Sequence, residues 1–155
     1  MRFVARAAQR LPFWAYMPGR VKALVEALGN PAHYPVSMQI EPTRRCNLKC
    51  VMCASVHCGR DPRPDLSLDA FRKILDQVPS LKEVTLTGLG ESFMNPHMID
   101  FIELARSRDI YTRFITNLTY LTDEKIERLV AAGHSELIVS METSDPDTFA
   151  DIRRG

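Results

Sequence analysis

The chain has 155 residues, a mass of 17.6 kDa and a net charge of +1, with 45% hydrophobic and 25% charged residues. That balance belongs to one ordinary globular domain and excludes disordered, collagen-like and low-complexity chains. The longest uninterrupted apolar stretch, Phe13 to Met17, falls far short of the ~20 residues a bilayer span needs, and near-neutral charge gives no global grip on nucleic acid.

Residues 1–34 are read as an N-terminal helical extension. Residues 1–35 carry Arg2, Arg6, Arg10, Arg20 and Lys22 against Glu26 alone, a charge of +4 that leaves −3 for the rest. Val21, Leu24, Val25 and Leu28 share one helical face, as in a basic amphipathic helix packed on its own domain. An Arg-rich, acid-poor start also has the character of a transit peptide or a membrane-surface helix. There is no secretory hydrophobic region before a small-residue cleavage site, so the expected address is the cytoplasm.

Beyond residue 35, four short apolar segments rich in β-branched residues predict strands: Val36–Glu41, Glu83–Thr87, Tyr111–Thr116 and Glu136–Met141. The run Glu-Leu-Ile-Val-Ser in the last of them suits a strand buried on both faces. Helical patterns lie between. Ser67 is the expected N-cap for Ala70, Phe71, Ile74, Leu75 and Val78, with Pro79 as the stop. Asn95–Pro96 predicts a cap followed by proline at the first helical position, leading into Met98, Ile99, Phe101, Ile102 and Leu104. Thr122, with Asp123 and Glu124 behind it, opens a helix that Gly133 closes. A final helix has only begun when the sequence stops at Gly155.

Strand–helix alternation with short connections predicts an α/β fold of right-handed βαβ units on a parallel sheet. Strand starts at 83, 111 and 136 recur near the ~30-residue period of a (βα)8 barrel, so residues 35–155 make about four units, half a barrel. Such a sheet would leave its fourth, apolar strand with an open edge. The chain therefore reads as the N-terminal piece of a longer one.

The four cysteines, Cys46, Cys50, Cys53 and Cys58, crowd into thirteen residues directly after the first strand. Disulfide frameworks spread their cysteines to staple distant loops, so this clustering points to metal. Cys46, Cys50 and Cys53, spaced by four and three residues, allow one loop to turn three sulfurs toward a common point. Three thiolates can hold three corners of a [4Fe–4S] cube and leave the fourth iron open, where ferredoxins supply four cysteines. The alternative is a non-enzymatic module, a zinc or redox-sensing site that recruits Cys58 as a fourth thiolate. The histidines (His33, His57, His97, His134) are scattered and receive no catalytic role.

The Cys-x3-Cys-x2-Cys motif after the first strand of a βα repeat resembles the signature of the radical S-adenosylmethionine (radical SAM) superfamily, in the branch with the molybdenum-cofactor cyclase and the SPASM-type modifiers. The resemblance implies a partial TIM-like barrel and an enzyme. Its cofactors would be a [4Fe–4S] cluster on Cys46, Cys50 and Cys53, and S-adenosylmethionine chelating the open iron. Reductive cleavage would release a 5′-deoxyadenosyl radical that abstracts hydrogen from a substrate, with ferredoxin or flavodoxin as the reductant. The substrate, peptide or small molecule, is not legible. Thr87-Gly88-Leu89-Gly90-Glu91-Ser92 is similar to the family's Gly-Gly-Glu segment, which binds the methionine amino group, and glycines there would let backbone approach a ligand. Leu89 stands for a glycine of many members and Ser92 for a proline. Thr116-Asn117-Leu118 resembles Thr-Asn-Gly, with Thr116 and Asn117 as candidates for the ribose or the substrate. Leu118 in place of glycine speaks against a positive φ there. Ser140, in Ile-Val-Ser-Met-Glu, would touch the cofactor's ribose or carboxylate, although Glu142 and Thr143 stand where Asp-Gly is usual. Arg153 resembles the arginine that pairs with the cofactor carboxylate. The barrel's fifth and sixth strands would follow, so the 155 residues alone are expected to bind a cluster poorly and turn over slowly.

Overall fold

The computed structural model describes residues 34–59, 63–133 and 135–154. The expected N-terminal extension, residues 1–34, lies outside the described residues except for Tyr34. The elements in order are β1 (Ser37–Ile40), α1 (Ala54–His57), α2 (Leu68–Gln77), β2 (Glu83–Leu86), a 3-10 turn (Ser92–Met94), α3 (Met98–Ser107), β3 (Tyr111–Thr116), α4 (Asp123–Ala132), β4 (Ser135–Val139) and α5 (Pro146–Arg153). The strands pair in the order β1-β2-β3-β4, all parallel, in one sheet that does not close. The predicted α/β half-barrel is thus the observed architecture. No helix among the described residues is long and apolar enough to cross a membrane.

Local chemistry accounts for most helix ends. The Ser67 hydroxyl accepts from the Ala70 amide at 3.2 Å and opens α2. Thr122 does the same for α4, accepting from Lys125. Gly133 ends α4 with φ +58°, where a side chain is strained. The predicted cap at Asn95 is corrected: α3 starts at Met98, after His97. Asn95 is buried, its amide donating to the Pro42 and Leu66 carbonyls at 2.8 and 2.9 Å while its Oδ1 accepts from the His97 amide. Its Oδ1 and carbonyl hold the turn that leads into α3, and its amide ties that turn to the loop after β1 and to Leu66. The last helix is also further formed than expected. Asp145 caps α5, Pro146 occupies its first position, and Arg154 closes it in a left-handed conformation.

Successive strand residues point to opposite sheet faces. Met38, Ile40, Val84, Leu86 and Phe114 face the helices, where Phe71, Leu75, Phe101 and Ile102 complete the core. Phe71 and Phe101 join α2 to α3 with ring centroids 4.7 Å apart. The other face carries a charged cluster. Arg113 on β3 bonds Glu83 of β2 at 3.0 Å and Glu136 of β4 at 2.6 Å, tying three strands together.

β4 corrects the expectation of burial on both faces. Leu137, Ile138 and Val139 remain 39%, 36% and 38% exposed, because β4 pairs with β3 alone among the described residues. An apolar groove between α4 and β4, lined by Leu118, Ile126, Val130 and Leu137, follows from the same open edge.

Candidate functional site: a cavity on the strand-end rim

In a parallel βα sheet, the loops leaving the strand C-termini converge on one rim. Here they enclose a cavity of about 260 Å³. Cys46, Cys50, Met52 and Cys53 line it from the loop after β1, and Thr87 to Glu91 from the loop after β2. Ile115, Thr116 and Asn117 come from β3, and Ser140, Glu142 and Arg153 from the segment after β4. Every residue assigned to the site from sequence therefore meets at one place. Cys58 is exposed beyond α1 and is not among the lining residues.

The cysteine loop is held from three sides. At its base, the Arg45 guanidinium grips both oxygens of Asp65 and bonds the Met94 carbonyl at 2.6 Å. The Thr43 hydroxyl donates to Asp65 at 2.6 Å. The hydrogen bond from Arg45 holds the Asp65 carboxyl below the usual carboxylate range, against a smaller opposing effect of burial. At mid-loop, the Asn47 side chain accepts from Asn117 Nδ2 and the Thr119 hydroxyl, each at 3.2 Å. On the far side, the amides of Lys49 and Val51 donate to the last carbonyls of α5, at Arg154 (2.8 Å) and Ile152 (2.9 Å).

The glycines act for a different reason than a ligand's approach alone. A Cβ on Gly90 would sit 2.2 Å from the Thr43 carbonyl oxygen and 2.7 Å from that of Arg45. One on Gly88 would sit 2.2 Å from Glu41 Oε1, which accepts from the Leu89 amide at 2.6 Å. The bare α-carbons thus let the β2 loop lie directly against the cysteine loop, and the Glu91 amide bonds the Arg45 carbonyl at 2.8 Å.

Glu91 is buried and its carboxylate is turned onto the protein. It accepts from the Thr116 hydroxyl and the Asn117 amide, both at 2.7 Å, and from the Phe93 amide. It latches the end of β3 to the β2 loop. Thr116 in turn accepts from the Leu118 amide at 3.0 Å, and its carbonyl takes the Ser140 amide at 2.9 Å. Leu118 nevertheless adopts φ +70°, correcting the expectation for that position. The Asn117 side chain accepts from Thr119, and these turn bonds hold the leucine in a region that disfavours it.

Arg153 closes the cavity. Its Nε and Nη2 grip both Glu142 oxygens, and its Nη1 lies 3.5 Å from Cys50 Sγ. Burial opposes the guanidinium charge, and the bonds to Glu142 and Cys50 outweigh it, so the pKa is raised. Sequence reasoning missed Asp65, Asn47, Glu41 and the Glu142–Arg153 pair. Only the Asp145–Pro146 cap signalled that α5 would be complete enough to present Arg153.

The model of the Radical SAM superfamily matches residues 40–155. The chain belongs to that superfamily. Its members are enzymes whose cofactors are a [4Fe–4S] cluster and S-adenosylmethionine. The chain is 35% identical over 108 residues, 68% of its length, to the tungsten-containing aldehyde ferredoxin oxidoreductase cofactor-modifying protein of Pyrococcus furiosus, and spans 30% of that protein. It is 27% identical over 138 residues, 88% of its length, to the mycofactocin maturase MftC of Mycobacterium tuberculosis, covering 35% of it. Among solved structures it superposes on Streptococcus suis SuiB bound to S-adenosylmethionine with a TM-score of 0.65 at 20% identity, covering 86% of this chain and 30% of SuiB. That likeness shows the fold of these four βα units. The chain thus spans about a third of the length of these relatives.

The donor set fits the family's cluster. Three thiols share one cavity wall, and a guanidinium N–H is directed at one of them, as suits a thiolate.

Proposed function

We propose that this chain carries the cofactor-holding part of a radical SAM enzyme, with Cys46, Cys50 and Cys53 ligating three irons of a [4Fe–4S] cluster. The observation that carries this reading is the single rim cavity that gathers the three cysteines with all four strand-end motifs. When bound, the cluster and S-adenosylmethionine would supply reductive radical chemistry directed at a C–H bond of the substrate. The chain's own residues bind and orient. Gly88, Leu89 and Gly90 line the cavity, where backbone carbonyls can accept from the cofactor's ammonium. Ser140, Thr116 and Asn117 stand at adjacent strand ends as polar contacts for its ribose and carboxylate. Glu91 acts through them, since its carboxylate aligns Thr116 and Asn117. A low-potential donor of the ferredoxin or flavodoxin type would supply the electron. The substrate is a peptide or small molecule.

Anaerobic reconstitution of the 155-residue chain with iron and sulfide tests the assignment. Iron and sulfide are expected in equal amounts, at low occupancy per chain, with the EPR signal of a reduced cubane, lost in Cys46→Ala, Cys50→Ala and Cys53→Ala and retained in Cys58→Ala. A chain that instead holds one zinc, or whose metal depends on Cys58, would refute it.

A further inference from the structure

The contact between Arg153 and Cys50 joins residues 103 apart in sequence, and several independent anchors fix it. The side chain is 12% exposed, and two of its nitrogens are committed to the Glu142 carboxylate. Because the guanidinium is planar, gripping Glu142 along one edge determines where the remaining nitrogen points. That nitrogen, Nη1, points at Cys50 Sγ, 3.5 Å away. The backbone repeats the constraint. The amides on either side of Cys50, those of Lys49 and Val51, are bonded to carbonyls of the same helical turn that carries Arg153. Cys50 is also the buried member of the three candidate ligands, Cys46 and Cys53 being half-buried, so a hydrogen bond to its sulfur is the least diluted by water.

Hydrogen bonds to ligand sulfurs withdraw electron density from an iron–sulfur cluster and favour its reduced form. Glu142 balances the guanidinium charge, so the pair presents an oriented N–H dipole to the sulfur with little net charge. We propose that Arg153, aimed by Glu142, donates to the Cys50 thiolate and thereby raises the reduction potential of the cluster held at Cys46, Cys50 and Cys53. This rests on the radical SAM reading of the cavity. It gives Arg153 a tuning role besides the carboxylate pairing that the resemblance implies, since its fork is already closed on Glu142. The couple concerned takes one electron from an external low-potential donor, dithionite in the assay, with no bond made or broken in the protein.

The test is an EPR-monitored redox titration of the reconstituted 155-residue chain without S-adenosylmethionine, comparing wild type with Arg153→Lys, Arg153→Gln and Glu142→Gln. At the potential where the wild-type cluster is half reduced, the reduced-to-oxidised ratio should fall roughly tenfold in both Arg153 variants, as for loss of one hydrogen bond to a charged group. Lysine keeps the charge but cannot hold Glu142 with two nitrogens while reaching the sulfur, so it should not rescue. Glu142→Gln keeps Arg153 but leaves its charge unbalanced beside the sulfur, and should shift the ratio the opposite way, toward the reduced form. This variant leaves α5 intact and decides the matter if the Arg153 variants fail to fold. A purely structural role would lower the amount of cluster without moving its potential. Unchanged potentials in a chain that does carry the cubane would overturn the proposal and leave the site assignment standing. Absence of a cubane from the wild-type chain would overturn both.

Discussion

Gly88 and Gly90 are separated by one residue and face different obstacles, which makes their alanine variants a direct test of how the cysteine loop is seated. Neither needs a positive φ; the requirement is space. At Gly90 the added methyl meets backbone, the carbonyl oxygens of Thr43 and Arg45 at 2.2 and 2.7 Å, so two loops must separate. Overpacking of this kind costs about 1–3 kcal/mol, and the hydrogen bond from the Glu91 amide to Arg45 adds about 1 kcal/mol if lost. Reduced freedom of the unfolded chain returns up to ~1 kcal/mol, leaving a net loss of about 1–4 kcal/mol. For a domain of this size that lowers Tm by about 2–16 °C. At Gly88 the methyl meets the Glu41 side chain, which can swing away by giving up its bond to the Leu89 amide. The loss is then about 1–2 kcal/mol, or roughly 2–8 °C. Glu41→Ala removes the same bond and the obstacle together. In that background Gly88→Ala should cost almost nothing, a coupling of about 1 kcal/mol, whereas Gly90→Ala should cost as much as before. Thermal and urea unfolding of the five variants measure this. If Gly88→Ala is equally destabilising with and without Glu41, the side-chain obstacle is not what the glycine avoids.

Two further outcomes follow from the same contacts. The Asp65 carboxyl is held low by Arg45, so its contribution is present above the unfolded carboxylate pKa and lost as pH falls through the folded one, below about pH 4. Asp65→Asn should be less stable than wild type at pH 7, and the Tm difference should narrow toward pH 3; a constant difference would show that the ion pair does not contribute. Leu118→Gly relieves a left-handed leucine whose side chain is 39% exposed, and should stabilise by about 0.5–1 kcal/mol in urea unfolding. A loss of stability would mean that packing of Leu118 in the α4–β4 groove outweighs the backbone strain.

The alternation of strands and helices was legible because it arises from residues within a turn or a pleat of one another. The caps at Ser67 and Thr122, the glycine stop at Gly133 and the period of the strands depend on neighbours a few positions away. The Cys-x3-Cys-x2-Cys spacing is local in the same sense, and it pointed to the cavity without knowledge of the sheet. Asn95 was only partly legible, because its Oδ1 accepts from the His97 amide as a local cap does, while its amide serves Pro42 and Leu66, 53 and 29 residues away. The apolar run of β4 misled because burial on both faces needs neighbours that periodicity cannot count.

What only the tertiary structure decided is how the site is built. Sequence showed that glycines follow β2, while the fold showed that they make room for Glu41, Thr43 and Arg45. Sequence offered Arg153 as a charge on a helix, while parallel pairing of β3 with β4 carries α5 back to the cysteine loop and sets its nitrogen against Cys50. The physical reason is the same throughout. Local pattern follows from short-range sterics and hydrogen bonding, but convergence of four loops on one rim exists only once strand order and register have fixed their ends side by side.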